Sequence, residues 1–230
     1  QRQDNIANNL ANATTNGYRA ETMTFRAVPV VGPGSDTRVS SVETTTGADF
    51  RPGSIFQTGN ALDIAINGQG FFAVQSSDGT EGYTRDGQFE LSIDGTLQTR
   101  AGLPVVGEGG PIVVPADHSV LVARDGTISA TPLTGRPNVI NVGKLKLVRP
   151  DEPALVRSPD GLFRLRGGGE ADPDPGISVV GGAVEGSNVN VVEALVNMIS
   201  VARQFETQMR LLQNAEQNSR QAAQLLSVNA

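Results

Sequence analysis

The stretch NVNVVEALVNMISVARQFETQMRLLQ, beginning at Asn188, constrains this chain more than any other part of it. Leu195, Met198, Ala202, Phe205, Met209 and Leu212 step 3,4,3,4,3, the a/d seam of a coiled coil. The seam meets Glu216 and Ser219 and resumes at Ala223 and Leu226. Asn190, three residues before Glu193, has the spacing of a helix cap in which the amide takes an orphan N–H and the Glu reaches back. About 38 helical residues at 1.5 Å rise give a rod of roughly 57 Å. Glu206 with Arg210 and Glu216 with Arg220 are i,i+4 pairs in the favourable order. The polar side is filled largely by Gln204, Gln208, Gln213, Gln217, Gln221 and Gln224, and Lys is missing from it. Neutral amides are buried at far lower cost than charges when they are paired. Such a rod suits a bundle of other helices, or a hairpin with a second helix and its outer side in water.

One segment of the same chain can supply that second helix. In DNIANNLANATTNGYRA, Ile6, Leu10 and Ala13 follow a helical period, flanked by an amide stripe of Asn5, Asn9, Asn12 and Asn16. Asn16-Gly17 predicts a left-handed stop. Asn is a middling helix former, so Asn9 and Asn12 are candidates for polar contacts or caps, as are Asn188, Asn190 and Glu193. Ile6, Leu10, Leu195, Met198, Phe205, Met209 and Leu212 form the candidate helix-packing set.

Between the ends the pattern is that of strands. ALDIAING alternates Leu62, Ile64 and Ile66 and ends at Asn67-Gly68, a half-buried strand and turn. Asp-Gly pairs at Asp78, Asp86 and Asp94 predict hairpin turns of a meander, and two more follow at Asp125 and Asp160. The expected fold is mainly β, an antiparallel sandwich or distorted barrel over 61–185, with terminal helices at 1–28 and 186–230 forming a coiled-coil core. Residues 29–60, rich in Thr, Ser, Gly and Pro, read as an extended connection.

Composition narrows function mainly by exclusion. The chain has 230 residues, 18 basic against 24 acidic, for a net charge of −6, which argues against a nucleic-acid surface. The charge is uneven: residues 1–28 carry +1, 186–230 carry zero and the middle carries −7, so the ends are nearly neutral and the body repels its like. No apolar run is long enough for membrane insertion. Without Cys there is no disulfide, thiolate metal site or Cys nucleophile. His118, the single histidine, reads as a solvated turn residue in PADHSV rather than a base. Asp172 and Asp174 in ADPDPG lack the other ligands of a calcium loop. GQGFF is not followed by the helix a phosphate site needs. No enzyme and no cofactor are expected. A secreted β-rich binding module with a helical stalk remains a rival to a structural subunit, but the body offers few aromatics for it.

At NIANNLANATTNGYRA, NGQGFFAVQ, EGYTRDGQFEL with DGTLQT, and EGSNVNVVEALVNMISVARQFE, the chain closely resembles the rod, hook and hook-associated proteins of the bacterial flagellum. The motifs occur in order at both ends and in the body, so the resemblance spans nearly the whole chain. FRAVPV, GKLKLV, ARQFETQM and AAQLLS look most like the proximal rod members, with the distal rod protein as the alternative. The hook protein is a poorer fit, since it normally carries a larger outer domain. The resemblance implies terminal helices that pair and line a hollow axial structure transmitting motor torque, and a β-domain facing outward. It implies copies of the chain and neighbouring rod proteins as partners, export through the flagellar type III apparatus without a cleaved signal, and assembly in the periplasm. Family members carry further residues before the first helix, so that helix is expected to be longer than the part that begins at Gln1.

Overall fold

The computed structural model of the chain describes residues 2–29, 39–134 and 138–228, and side-chain surroundings outside 24–29, 39–46, 219 and 221–228. The middle of the 29–60 connection, and the resumed seam at Ala223 and Leu226, therefore lie outside the described residues or side chains. Two compact units emerge. The first comprises residues 1–11 and 190–230, and the second is a β-body over residues 12–189.

Of the five Asp-Gly pairs, four turn hairpins. Asp78-Gly79, Asp94-Gly95, Asp125-Gly126 and Asp160-Gly161 share one geometry, with the Gly at φ between 78° and 84° and the Asp at negative φ. In each, the Gly N–H donates to the carbonyl three residues back, as from Gly79 to Ser76 at 3.0 Å, and the ladder closes one residue later, as from Ser76 N–H to Thr80 O at 2.9 Å. This is a type I turn with a glycine bulge, so only one residue per pair needs the left-handed region. The expected meander breaks at Asp86. The strand Glu81–Thr84 stays beside Phe71–Gln75, whereas Phe89–Leu91 leaves to pair with Leu97–Thr99. Gly87 is there for close approach, since a Cβ on it would stand 1.7 Å from the Ile64 carbonyl oxygen.

The largest sheet has five strands in the order Leu147–Val148, Phe71–Gln75, Glu81–Thr84, Phe163–Leu165, Leu155–Arg157. Phe72 and Val74 point into one core with Ile64, Ile66 and Leu97, and Phe71 and Ala73 into another with Tyr83, Val148 and Phe163. FFAV is a continuous apolar run because its strand is buried on both faces. Smaller two- and three-stranded sheets surround this one. No sheet closes into a barrel among the described residues, so the barrel alternative is excluded.

Helix α1 covers Arg2–Ala11, shorter than the 1–28 segment expected to hold it. Gly17 does take φ +67°, but in a turn beyond the helix rather than at its end. Residues 21–28, expected in the helical segment, and 39–48, expected in a plain connection, are strands instead. Glu21–Pro29 and Val39–Ala48 form an antiparallel ribbon, with a bulge between Met23 and Thr24. Helix α2 is Val191–Val228.

Candidate assembly site

Each unit holds part of the candidate site. In the first, α1 lies in contact with α2 and buries Ile6, while Leu10 is half-buried. On α2, Ala194, Asn197, Met198 and Val201 make a half-buried line. The other packing candidates stay in water: Leu195 is 44 % exposed, Phe205 61 %, Met209 42 % and Leu212 62 %. Val192, Val196 and Ile199 add an exposed apolar cluster near the helix start. Among the described residues, Ile6, Leu10 and Met198 are sheltered, and Leu195, Phe205, Met209 and Leu212 are exposed.

The polar candidates fall in three places. Asn190 Oδ1 accepts the Glu193 N–H at 3.2 Å, a helix cap. Among the described residues the Glu193 side chain makes no return bond, so the capping box is half formed. Asn9 Nδ2 donates to Asn5 Oδ1 at 3.3 Å along α1. Asn12, in the body, accepts the Thr15 hydroxyl at 3.2 Å.

Asn188 has the fullest set of bonds. Its Oδ1 accepts the Ala20 N–H at 2.7 Å, and its Nδ2 donates to the Asp49 and Arg51 carbonyls at 2.7 and 2.9 Å. One side chain thus clips together the start, the ribbon exit and the end of the body. The Gly17 N–H donates to the Glu185 carbonyl at 2.7 Å beside it.

Beneath the clip lies a group that motif reading passed over. Glu185 is 1 % exposed and meets two buried guanidiniums, Arg85 through Oε2 and Arg19 Nη1 at 2.7 Å from Oε1. The Gly53 N–H also donates to Oε1, at 2.7 Å. Arg85 reaches on to the Gly70 carbonyl at 2.7 Å and the Ile66 carbonyl at 3.2 Å. Burial pushes the Arg85 pKa down and Arg19 adds to that, while Glu185 opposes both. The available signal was position: Arg19 sits in NGYRA, Arg85 in GYTRDG and Glu185 with Asn188 in EGSN, the motifs that carried the resemblance. Separate motifs in sequence become one joint in space.

The residues weighed for chemistry are occupied structurally. His118 begins a strand with Nδ1 2.7 Å from the Ala116 carbonyl oxygen. Asp174 pairs with Arg149 Nε at 3.2 Å and accepts the Gly176 N–H at 2.8 Å. Among the described residues, no helix is long and apolar enough to cross a membrane.

Comparison with known proteins places these features. Residues 65–130 match the flagellar hook protein FlgE/F/G D1 domain, and residues 180–225 match the flagellar basal body rod FlgEFG protein C-terminal family. The flagellar basal-body rod protein FlgF of Salmonella typhimurium is 45 % identical, covering 97 % of this chain and 91 % of that protein. FlgF of Escherichia coli is 44 % identical over the same shares. The rod protein FlgG of Buchnera aphidicola subsp. Schizaphis graminum is 34 % identical, covering 96 % of this chain and 92 % of its own length. With body, C-terminal helix and nearly the full length matched, the chain belongs to the flagellar basal-body rod protein family, in its FlgF branch.

Proposed function

We propose that this chain is a structural, non-enzymatic subunit of the proximal rod that polymerises through α1 and α2 into a hollow shaft transmitting motor torque. The observation that carries this reading is the row Leu195, Phe205, Met209 and Leu212, exposed along α2. Exposed leucine and phenylalanine at heptad spacing are stabilised by helices of other subunits, and copies of the chain and neighbouring rod proteins are the partners that fit. The amide-rich outer side suits the same crowded setting. Identity of 45 % and 44 % to the FlgF proteins of Salmonella typhimurium and Escherichia coli, against 34 % to a FlgG of Buchnera aphidicola, favours a proximal over a distal position. Export through the flagellar type III apparatus and assembly in the periplasm follow from the family as expectations for this chain.

The test is a double substitution, Phe205→Ser with Leu212→Ser, in cells lacking the native gene. Swimming and incorporation into purified basal bodies should both be lost, while circular dichroism shows the purified variant's β-body folded as before. Normal incorporation of the variant would overturn the proposal. An epitope tag imaged on basal bodies distinguishes proximal from distal placement.

A further inference from the structure

The four hairpin turns of one geometry differ at a single corner, the residue after the carbonyl that accepts the glycine N–H. Three place Ser77, Arg124 and Pro159 there, and the fourth places Ile93, whose side chain is wholly in water. A type I turn asks for nothing apolar at that corner, and Pro suits it best. Val113, half in water, stands beside the same turn as the bridge partner of Thr96. Leu91, partly exposed on the same hairpin, extends the apolar tip. Single exposed apolar residues are ordinary, but a cluster at a turn marks a contact.

A surface of the opposite shape stands elsewhere on the body. His118–Val122, Thr127–Pro132 and Ile140–Lys144 form a three-stranded sheet that turns Ile128 and Ala130 inward. The ionisable side chains of its strands are His118 and Lys144, and Lys144 is paired with Glu108 at 2.7 Å. On the outer face Thr131 lies opposite Ser119, whose hydroxyl donates to the Thr131 carbonyl at 3.3 Å. Leu121 opposite Ser129, Leu133 two residues past Thr131, and Val139 just before Ile140 stand around this floor of short side chains, all mostly exposed. Bodies with net negative charge repel, so copies meet at least cost over a face of this kind. We propose that the Ile93 tip of one copy seats in the hollow over Ser119 and Thr131 of another, a body-to-body contact that rests on the polymer reading above. Donor and acceptor surfaces differ, so the contact builds a ring or filament rather than a closed pair. Such patches cover a few hundred Å² each, well short of the roughly 1,600 Å² of a stable interface, so the contact forms between copies already gathered by their helices.

The chain has no Cys, so engineered thiols report this contact alone. The full chain carrying Ile93→Cys and Leu121→Cys replaces the native protein in cells, and purified basal bodies are mildly oxidised. Copies should become linked through position 93 of one and position 121 of another, while neither single variant gives a linked pair. Basal bodies that contain the double variant without that link, or with position 93 joined to itself or to a different protein, would overturn the contact and leave the polymer reading standing. Ile93→Asp gives a second readout. It should lose incorporation while its melting midpoint stays within about 2 °C of the wild type. Normal incorporation of Ile93→Asp would overturn the contact even if the double variant failed to assemble. Absence of the wild-type chain from basal bodies would sink the polymer reading, and this contact with it.

Discussion

Phe72, Tyr83 and Leu97 in the β-body have no exposed surface, whereas Phe205 and Leu212 on α2 keep more than half of theirs in water. The same residue types are used in two ways within one chain. The body buries its apolar groups on both faces of a sheet and closes its turns with local glycine bulges. The helices carry a comparable apolar row, most of it exposed among the described residues. The difference teaches that the body closes its core by its own contacts, while the proposed assembly would make the helical unit conditional on partners. An isolated helix gains too little from burial to offset the entropy of ordering it.

The largest effects should come from the body. Glu185→Gln leaves two buried guanidiniums facing a neutral amide and is expected to destabilise by about 3–5 kcal/mol, measured by urea unfolding. Phe72→Ala should cost about 3–5 kcal/mol by opening a cavity in the core. Phe205→Ala, by contrast, should change the unfolding free energy of the isolated chain by no more than about 0.5 kcal/mol. Equal losses for the two phenylalanines would break the comparison. Hydrogen exchange sharpens it: amides of Phe71–Val74 should be strongly protected and those of α2 past Val201 should exchange quickly in a verified monomer. Protection of the whole of α2 would show a self-sufficient helical hairpin instead.

Smaller effects follow from single polar groups. Asn190→Ala should cost about 1 kcal/mol of local helix stability, read as lower helicity without a change in body unfolding. At Asp160, burial pushes the carboxyl pKa up, but the Arg164 guanidinium and the Leu162 amide outweigh it and hold the pKa below the ordinary value. A depressed folded-state pKa gives stability that is present above the unfolded value of about 3.9 and lost as pH falls through the folded one. Asp160→Asn should therefore flatten the acid limb of the stability curve, by less than about 1 kcal/mol because the pair is partly screened.

Some of this fold is legible because its causes are local. Asp-Gly turns are written in two adjacent residues, and the α2 cap in two residues three apart. Asp86-Gly87 misleads because its glycine answers to the Ile64 carbonyl, a partner distant in sequence. The ribbon is announced only in half: Met23, Phe25 and Ala27 alternate with Thr22, Thr24 and Arg26, but its partner strand VSSVETTTGA shows no alternation. The seam was readable from periodicity, but which of its residues are sheltered was not, since that depends on packing against a segment distant in sequence. Glu185 was hidden for a further reason. Motif chemistry looks for clustered ionisable residues, and this group assembles from three separate segments.

The Asn188 clip sets a load path. The chain enters the body near Gly17–Ala20 and leaves it near Glu185–Asn188, and the two passages are bonded side by side. A pull on both ends loads the three Asn188 hydrogen bonds, the Gly17–Glu185 bond and the buried ion pairs in parallel, as shear. Bonds loaded together yield at far higher force than bonds opened one by one. Tension applied to both ends therefore crosses the root of the body without passing through its core.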